Sequence, residues 1–292
     1  MTRDDADIRA LVERWAAAVH SGDLDTVLDD HSSDIVMFDV PPPYQGVRGI
    51  DAYRKTWPSF FTWQAQGGVV FEIESMDVTA GDDVAFVWAL LRCGAPEEFS
   101  KNPDMRLRLT LGLRKHGKRW VVTHEHHSFP DTSAADTSPN KTSFAGEAGA
   151  ETNDEKELRD IHERWFAATE AKDIDGLMTH IADDVVSYEH DVPLQHLGVA
   201  NVRKVCQRGL DSAPGTITWQ VPDMTVLVRD DIAVAWGLNH MTAEQADGQV
   251  AESWSRGTRL FQRQPEGWRM IHQHVSYPYD PETGAAVVDL KP

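Results

Sequence analysis

The chain has 292 residues, of which 41% are hydrophobic, and its formal net charge is −19. A chain of this length can bury two ordinary cores, since domains commonly have about 100–200 residues. The negative charge argues against surfaces for nucleic acid or anionic membranes, because both depend on clustered Lys and Arg.

The two cysteines, Cys93 and Cys206, are too few for a disulfide framework of the secreted type, so a reducing compartment is indicated. The N-terminus is acidic where a signal peptide needs positive charge, and no apolar run has membrane-spanning length. We therefore expect a cytoplasmic protein without membrane or nucleic-acid partners.

Two helices are predicted at the start of the chain. Apolar residues recur at helical spacing from Ile8 to Val19, and Asp4 or Asp5 is available to cap this first helix. Asp23 is predicted to cap a second, short helix.

A strand and a third helix follow. Residues 34–40 (DIVMFDV) read as a strand that ends against three prolines, and residues 49–61 read as a helix that ends near Pro58. Asp39 lies at the strand end, where a carboxylate can project into the mouth of a cavity. A solvated acid is an equally good interpretation, because loops favour Asp in any case.

Residues 105–130 are predicted to form a hairpin, after strands over residues 69–78 and 83–92. If His116 and Gly117 form a two-residue turn, Arg108 lies opposite Glu125 on one face. In the same register Arg106 lies opposite His127, and Leu107 and Leu109 meet His126 and His124 on the other face.

Residues 253–278 repeat this hairpin sequence at an offset of about 150 residues, which indicates a duplicated domain. We predict domains at residues 1–130 and 154–280, a flexible linker at 131–153 and a tail at 281–292. Asp154 is the predicted cap of the first helix of the second copy, where the same hairpin register places Arg256 opposite Gln273 and Trp254 opposite Val275.

Each copy therefore has the order helix, helix, strand, helix, antiparallel meander. This order predicts an α+β fold in which three N-terminal helices pack on the concave face of a curved antiparallel sheet. The hairpin leucines lie opposite the charged face in the assumed register. They predict sheet-to-sheet packing of the two copies as an internal pseudo-dimer, and further homo-oligomers are left open.

This pattern, with RWAAAVHSGDLDTV, the Asp39 strand end and GKRWVVTHEHHSFP, resembles the nuclear-transport-factor-like superfamily. That group includes ketosteroid isomerases and SnoaL-type polyketide cyclases. The resemblance covers nearly all of both copies and implies their fold. It leaves the activity open, because this fold hosts isomerases, cyclases, dehydratases, hydrolases and non-catalytic binding domains.

The resemblance also suggests residue roles. Asp39 stands where ketosteroid isomerases have their general base, whereas their two oxyanion donors fall on Trp15 and near Thr110. Glu125 is similar to the catalytic acid on the last strand of SnoaL-type cyclases, and the second copy has Gln273 there. The resemblance thus implies an active first copy and a degenerate second one.

We expect a pocket in the first copy with aromatic walls and a few convergent polar groups. In this interpretation Asp39 is the base, Glu125 together with Arg108 orients or protonates the ligand, and His127 assists. Two arginines would favour a small hydrophobic ligand that can carry negative charge. The further ligand-binding residues are predicted to be Trp15, Tyr53, Trp57, Trp88, Arg106, Arg108 and Thr110.

The sequence contains His124-x-His126 and its copy His272-x-His274, and such pairs can bind metal. In the predicted register they lie on the leucine face, so we expect structural histidines, no metal and no cofactor. HEHHS resembles the HHHSS of iota-type carbonic anhydrases without matching it, which makes a metal-dependent or carbonic-anhydrase-like activity the weaker alternative.

The leading hypothesis is a small-molecule enzyme of the polyketide cyclase or isomerase type, working by cofactor-free acid–base chemistry. The alternative is a non-catalytic ligand-binding or assembly protein with the same fold. Turnover that depends on Asp39 would distinguish the two.

Overall fold

The computed structural model describes residues 2–43, 45–130, 152–280, 285–288 and 290–291. The chain divides into two compact units, Met1–Phe129 and Pro130–Pro292. The predicted linker at 131–153 lies outside the described residues except for its last two, as do parts of the predicted tail. None of the described helices is both long and apolar enough to cross a membrane.

The first unit follows the predicted element order, with one short strand and one short helix added. Its elements are α1 Arg3–Ser21, α2 Leu24–Asp29, β1 His31–Phe38, β2 Val47–Arg48, α3 Ile50–Gly67, β3 Val70–Ala80, β4 Val84–Gly94, α4 Pro96–Lys101, β5 Leu107–His116 and β6 Arg119–Ser128.

The long helix that opens each unit starts at a threonine rather than at the predicted aspartates. The Thr2 side chain accepts a hydrogen bond from the Asp5 N–H, and the Asp5 carboxylate accepts one from the Thr2 N–H. Thr152 and Glu155 repeat this capping box, so Asp154 is not the cap. The reciprocal pair satisfies two backbone donors, which a lone aspartate inside the first turn cannot do. Asp23 caps α2 as predicted.

Helix α3 continues past Pro58 to Gly67, although the sequence predicted an end near the proline. Proline removes one helical hydrogen bond. Aromatic packing offsets that loss, because Trp57 stacks on Phe61 and Phe60 packs edge-on against Phe71 of β3.

The six strands of the first unit form one sheet in the order β2-β1-β6-β5-β4-β3. Neighbouring strands are antiparallel except β1 and β6, which are parallel. Strand β6, which carries the HEHHS sequence, therefore lies between β1 and β5. Side chains from the end of β1 and from β6 can meet on one face of this sheet.

The predicted register of the hairpin is wrong. His116 pairs with Arg119, which places the turn one residue later, and an irregularity between Gly112 and Leu113 shifts the pairing again. Leu111 therefore lies opposite Glu125, and Arg108 lies opposite Ser128. An odd shift exchanges the faces of a strand, so the leucines share a face with Glu125 rather than with His124.

We call the sheet face that packs on the helices the inner face, and the opposite one the outer face. The hairpin leucines belong to the same buried cluster as Ile8, Trp15 and Tyr53 of the helices, so they lie on the inner face. The prediction that this leucine face joins the two copies is therefore wrong, because the unit's own helices cover it. How the two units pack stays a prediction.

The second unit repeats the α+β architecture, which confirms the predicted fold class. Its elements are α5 Asn153–Glu170, α6 Ile174–Leu177, β7 Ile181–Tyr188, β8 His196–Leu197, α7 Val199–Ser212, β9 Ile217–Gln220, β10 Thr225–Arg229, β11 Ile232–Glu244, β12 Val250–Gln264 and β13 Gly267–Ser276. The sheet has the order β10-β11-β12-β13-β7-β8, and β9 pairs with β11.

The second hairpin also departs from the predicted register. Arg259 lies opposite Gln273, and Arg256 lies opposite Ser276. The pair that corresponds to Leu111 and Glu125 is therefore Arg259 and Gln273.

Candidate active site

Glu125 is the centre of a buried polar cluster in the first unit. It lies on β6, faces the inner side of the sheet and is 0% exposed. A buried carboxylate is costly unless hydrogen bonds and positive charge compensate it. Its neighbours supply hydrogen bonds.

Two side chains bind the Oε1 oxygen of Glu125. His31 Nε2, at the start of β1, lies 2.6 Å from it, and the Tyr53 hydroxyl of α3 donates to it at 3.0 Å. The His31 and Tyr53 rings stack with centroids 4.7 Å apart. Trp15 Nε1 donates to the Tyr53 oxygen at 3.3 Å, so helices α1 and α3 both hold the cluster.

His127 connects Glu125 with Asp39. Its Nε2 lies 3.2 Å from Glu125 Oε2, and its Nδ1 lies 3.7 Å from Asp39 Oδ1. Asp39 follows β1, and its Oδ1 accepts a hydrogen bond from the Val40 N–H at 2.8 Å. The parallel pairing of β1 with β6 brings these three side chains together.

Exposure increases along this series of groups. The side chains of Glu125, His127 and Asp39 are 0%, 5% and 25% exposed. Asp39 is therefore the most accessible of the three, Glu125 is fully buried, and His127 lies between them.

The electrostatics keep Glu125 ionised. Burial alone would raise its pKa, but hydrogen bonds and charge interactions with His127 and His31 outweigh burial and lower the pKa to about 2. The pKa of Tyr53 is raised well above 10 by burial and by the charge of Glu125. Tyr53 is therefore a donor to an ionised carboxylate at neutral pH.

Aromatic rings surround the cluster. Trp15 packs edge-on against His127 with centroids 6.1 Å apart, and against Trp57 at 6.2 Å. Trp57 in turn packs against Tyr53 at 5.6 Å. The indole N–H of Trp57 is buried and has no hydrogen-bond partner among the described residues. An apolar wall with a few polar groups is the usual lining of a small-molecule site.

The structure brings together six of the predicted site residues: Trp15, Asp39, Tyr53, Trp57, Glu125 and His127. The other four predicted site residues lie away from this group: Trp88, Arg106, Arg108 and Thr110. Thr110 pairs with Trp88 and with His126, which places Trp88 and Thr110 on the outer face. The cause is the incorrect hairpin register.

The two predicted pocket arginines lie elsewhere for the same reason. Arg108 is buried on the outer face, where its Nε donates to Ser128 Oγ at 3.0 Å. Arg106 precedes β5 and forms an ion pair with Glu74. Neither can orient a ligand on Glu125, and the predicted pairing of Arg108 with Glu125 is wrong.

The His124-x-His126 pair lies on the outer face and not with the leucines. His124 Nδ1 donates to the Val36 carbonyl at 3.0 Å, and burial lowers the pKa of His124 to about 3. Phe38 packs edge-on against both rings. His124 is thus a buried structural histidine. The described residues include no group of three or more His, Cys, Asp or Glu side chains arranged to hold a metal.

The second unit lacks this cluster. The residues in place of His31, Tyr53, Glu125 and His127 are Ile181, Val202, Gln273 and Val275. Glu189 follows β7 as Asp39 follows β1, and it accepts hydrogen bonds from Ser187 at 2.5 Å and from Gln273 at 3.1 Å. The second unit has one carboxylate joined to a histidine, Glu252 with His240 at 2.8 Å, but it lies on other strands and has no second histidine among the described residues.

Sequence reasoning missed His31, although a signal existed. When the sequences of β1 and β7 are aligned, His31 corresponds to Ile181, which is buried in the second unit. A polar side chain at a position that its own copy fills with an apolar one indicates a site residue. The same comparison identifies Arg259, whose counterpart is Leu111.

The sequence model described as "SnoaL-like domain" matches residues 8–132 and again residues 158–280. No curated protein matches the chain.

Several solved structures are similar to one unit at a time. An NTF2-like protein of unknown function from Pseudomonas putida KT2440 is 31% identical; the match covers 49% of this chain and 100% of that one, with a TM-score of 0.45. An NTF2-like superfamily protein from Salmonella enterica is 19% identical over 44% of this chain and 94% of that one, with a TM-score of 0.38. An NTF2-like protein with a cystatin-like fold from Novosphingobium aromaticivorans is 19% identical over 45% of this chain and 86% of that one, with a TM-score of 0.38.

Proposed function

We propose that this chain, which belongs to the family of SnoaL-like domains, is a small-molecule enzyme that performs acid–base chemistry in its first unit. The observation that carries the proposal is the position of His127, with Glu125 3.2 Å from one ring nitrogen and Asp39 3.7 Å from the other. Imidazole and carboxylate groups in such an arrangement can remove a proton from a bound molecule and return it elsewhere.

Asp39 and His127 are the groups proposed to touch the substrate. Asp39 is the more exposed of the two and is the proposed base, which takes a proton from a carbon next to a carbonyl. Asp39 then transfers this proton to the unprotonated His127 Nδ1, 3.7 Å away, and the imidazolium so formed returns it to the substrate at a second position, which restores both groups. Such a transfer is common to isomerases, to cyclases that close a ring on an enolate carbon, and to dehydratases that eliminate water.

Glu125 is proposed as a positioning residue. As an ionised acceptor beside Nε2, it favours the histidine tautomer that carries its proton on Nε2 and directs the chemistry to Nδ1. Tyr53 and His31 hold this carboxylate in place. The proposed role of Glu125 parallels the buried carboxylate behind a catalytic histidine in hydrolases.

The substrate is proposed to be a small carbonyl compound with an aromatic or alicyclic body. Trp15 and Trp57 provide flat apolar surface beside the acid–base pair. The buried indole N–H of Trp57 is the proposed donor to the substrate carbonyl oxygen. It would take the place of the oxyanion donors that ketosteroid isomerases have and this chain lacks.

Deuterium exchange tests the proposal before a natural substrate is known. Bicyclic aryl ketones such as 1-tetralone would be incubated with the protein in D2O, and loss of the protons next to the carbonyl followed by NMR. We expect exchange above the buffer rate with the wild type, and loss of that excess in Asp39→Asn. Asp34→Asn, an exposed acid on the same strand, is the matched control and should retain exchange.

Full exchange in Asp39→Asn would contradict the assignment of the base. If the ketones bind the wild type and none exchanges, the non-catalytic ligand-binding alternative is favoured instead. Binding is measured in the same samples by ligand line broadening, so the two results are distinguishable.

A further inference from the structure

The interior of the second unit contains a buried arginine with no carboxylate partner. Arg259 lies on β12 opposite Gln273 and is 4% exposed. Its counterpart in the first unit, Leu111, belongs to the hydrophobic core. The fold therefore does not require a charge at this position.

The hydrogen bonds of Arg259 go to neutral groups. Its Nε donates to Gln273 Oε1 at 3.1 Å, and its Nη2 donates to Asn239 Oδ1 at 2.9 Å. The guanidinium lies over the Trp219 ring, 4.8 Å from the centroid. A guanidinium has five N–H donors, so three have no hydrogen-bond acceptor among the described residues.

The charge of Arg259 is incompletely compensated. Burial lowers its pKa to about 10, and the charge of Glu189 opposes that effect only in part. Glu189 reaches Gln273, and no carboxylate oxygen of the described residues lies within 4.0 Å of the guanidinium. A buried charge without an ion pair is destabilising, and an anionic ligand would offset that cost.

A second buried polar atom lies in the same interior. His162 of α5 donates from Nδ1 to the Leu158 carbonyl at 2.8 Å, and its Nε2 has no hydrogen-bond partner among the described residues. Burial and the charge of Arg259 lower the pKa of His162 to about 3, so the ring is neutral. Phe261 and Trp165 pack against it. The interior thus offers one cation and one neutral acceptor within aromatic walls.

Trp219 connects this interior with the surface. It contacts the guanidinium on one side, and it also lines a groove of about 600 Å³ together with Phe166. The Trp219 side chain therefore contacts both the guanidinium and the groove. Glu163 and Glu170 also line the groove, and their charge disfavours polyanions such as phosphate esters.

We propose that the second unit holds a ligand site of its own, in which Arg259 binds the carboxylate of a small aromatic monocarboxylic acid. The planar guanidinium matches a carboxylate, the acidic groove selects a single negative charge, and Trp219 with Phe166 accommodates an aromatic ring. The site is independent of the acid–base cluster in the first unit, so either proposal can fail without the other.

Benzoate is the probe that tests this site, with neutral benzamide as its uncharged counterpart. Binding is measured by titration calorimetry and by the shift in thermal unfolding of the full chain. Arg259→Leu introduces the residue that the first unit has at this position, and Arg259→Lys keeps the charge without the planar fork. Arg263→Leu is the control, because Arg263 lies on the same strand but is 37% exposed and bound to Asp154.

We expect benzoate to bind the wild type and Arg263→Leu at one site per chain and to raise their unfolding temperatures, whereas benzamide does neither. Binding should be about 10- to 100-fold weaker in Arg259→Leu and intermediate in Arg259→Lys. Unchanged affinity in both Arg259 variants, or no binding by the wild type, would overturn the proposal. If Arg259→Leu does not fold, Arg259→Lys alone decides.

Discussion

Replacing Glu125 by leucine is expected to lower the free energy of unfolding by about 1–3 kcal/mol at pH 7. The variant removes the shared acceptor of the Tyr53 hydroxyl and the His31 Nε2–H in a buried site. The two groups are 3.2 Å apart and, among the described residues, can then donate only to each other, so one donor stays unsatisfied. The loss of these bonds outweighs the apolar surface that leucine adds, because buried donors without a partner incur their full desolvation cost. The loss of stability should be confined to the first unit, which contains Glu125.

The measurement is urea unfolding, followed by tryptophan fluorescence and by far-UV circular dichroism. Gln273→Leu changes the equivalent position in the second unit. It removes a neutral amide and should therefore lower the free energy of unfolding by less than Glu125→Leu does. An unfolding curve for Glu125→Leu that coincides with the wild type would show that the cluster contributes no stability.

The difference in stability between the wild type and Glu125→Leu is expected to depend on pH. The pKa of Glu125 is about 2 in the folded state, below the ordinary value of 4.5. A carboxyl whose folded pKa is lowered stabilises the protein above its unfolded pKa, and this stability is lost as the pH falls through the folded value. The stability difference between wild type and Glu125→Leu should therefore decrease between pH 4.5 and 2.

Replacing His127 by glutamine is expected to lower the rate of deuterium exchange by about 10²- to 10⁴-fold, the usual contribution of a general acid or base. Glutamine keeps a polar group near Glu125 but cannot take up and release a proton near neutral pH. Because the apolar walls are unchanged, ketone binding should weaken far less than the rate falls.

His116→Gln is the control for this variant, since His116 is an exposed histidine at the hairpin turn of the same unit. It should exchange at the wild-type rate. A His127→Gln variant that keeps the full rate would assign the chemistry to Asp39 alone, and one that loses rate and binding in equal proportion would indicate a role in binding.

The fold could be predicted from the sequence because two independent signals agree. Helical spacing from Ile8 to Val19 and alternation in the hairpin give the element types, and the offset of about 150 residues shows each element twice. Patterns of this kind identify a helix or a strand even when its first or last residue is predicted incorrectly. The capping threonines and the passage of α3 through Pro58 were missed, but neither changes the topology.

The faces of the sheet could not be predicted in the same way. Side chains alternate with a period of two, so a single bulge exchanges the inner and outer faces. Moving the turn by one residue shifts the pairing by two and keeps the faces, whereas the irregularity at Gly112 shifts it by one more and exchanges them. This is why Arg106 and Arg108 were assigned to the pocket and the leucines to the outside.

The centre of the site depends on contacts between residues far apart in the chain. Asp39, Glu125 and His127 were predicted because the family resemblance and the strand ends single them out. His31 was not, because nothing near it in the sequence indicates that the parallel pairing of β1 with β6 brings it to Glu125, 94 residues away. Comparison of the two repeats would have identified it.

The measurement that tests the central claim most directly is ¹⁵N–¹H NMR of the histidine side chains in the wild type and in Glu125→Gln. An ionised Glu125, with His31 Nε2 2.6 Å from Oε1 and His127 Nε2 3.2 Å from Oε2, predicts that both histidines carry a proton on Nε2, with resonances shifted downfield by the charged acceptor. Both resonances should move upfield or vanish in Glu125→Gln. Identical histidine spectra in the two proteins, or a His127 protonated only on Nδ1, would contradict the account.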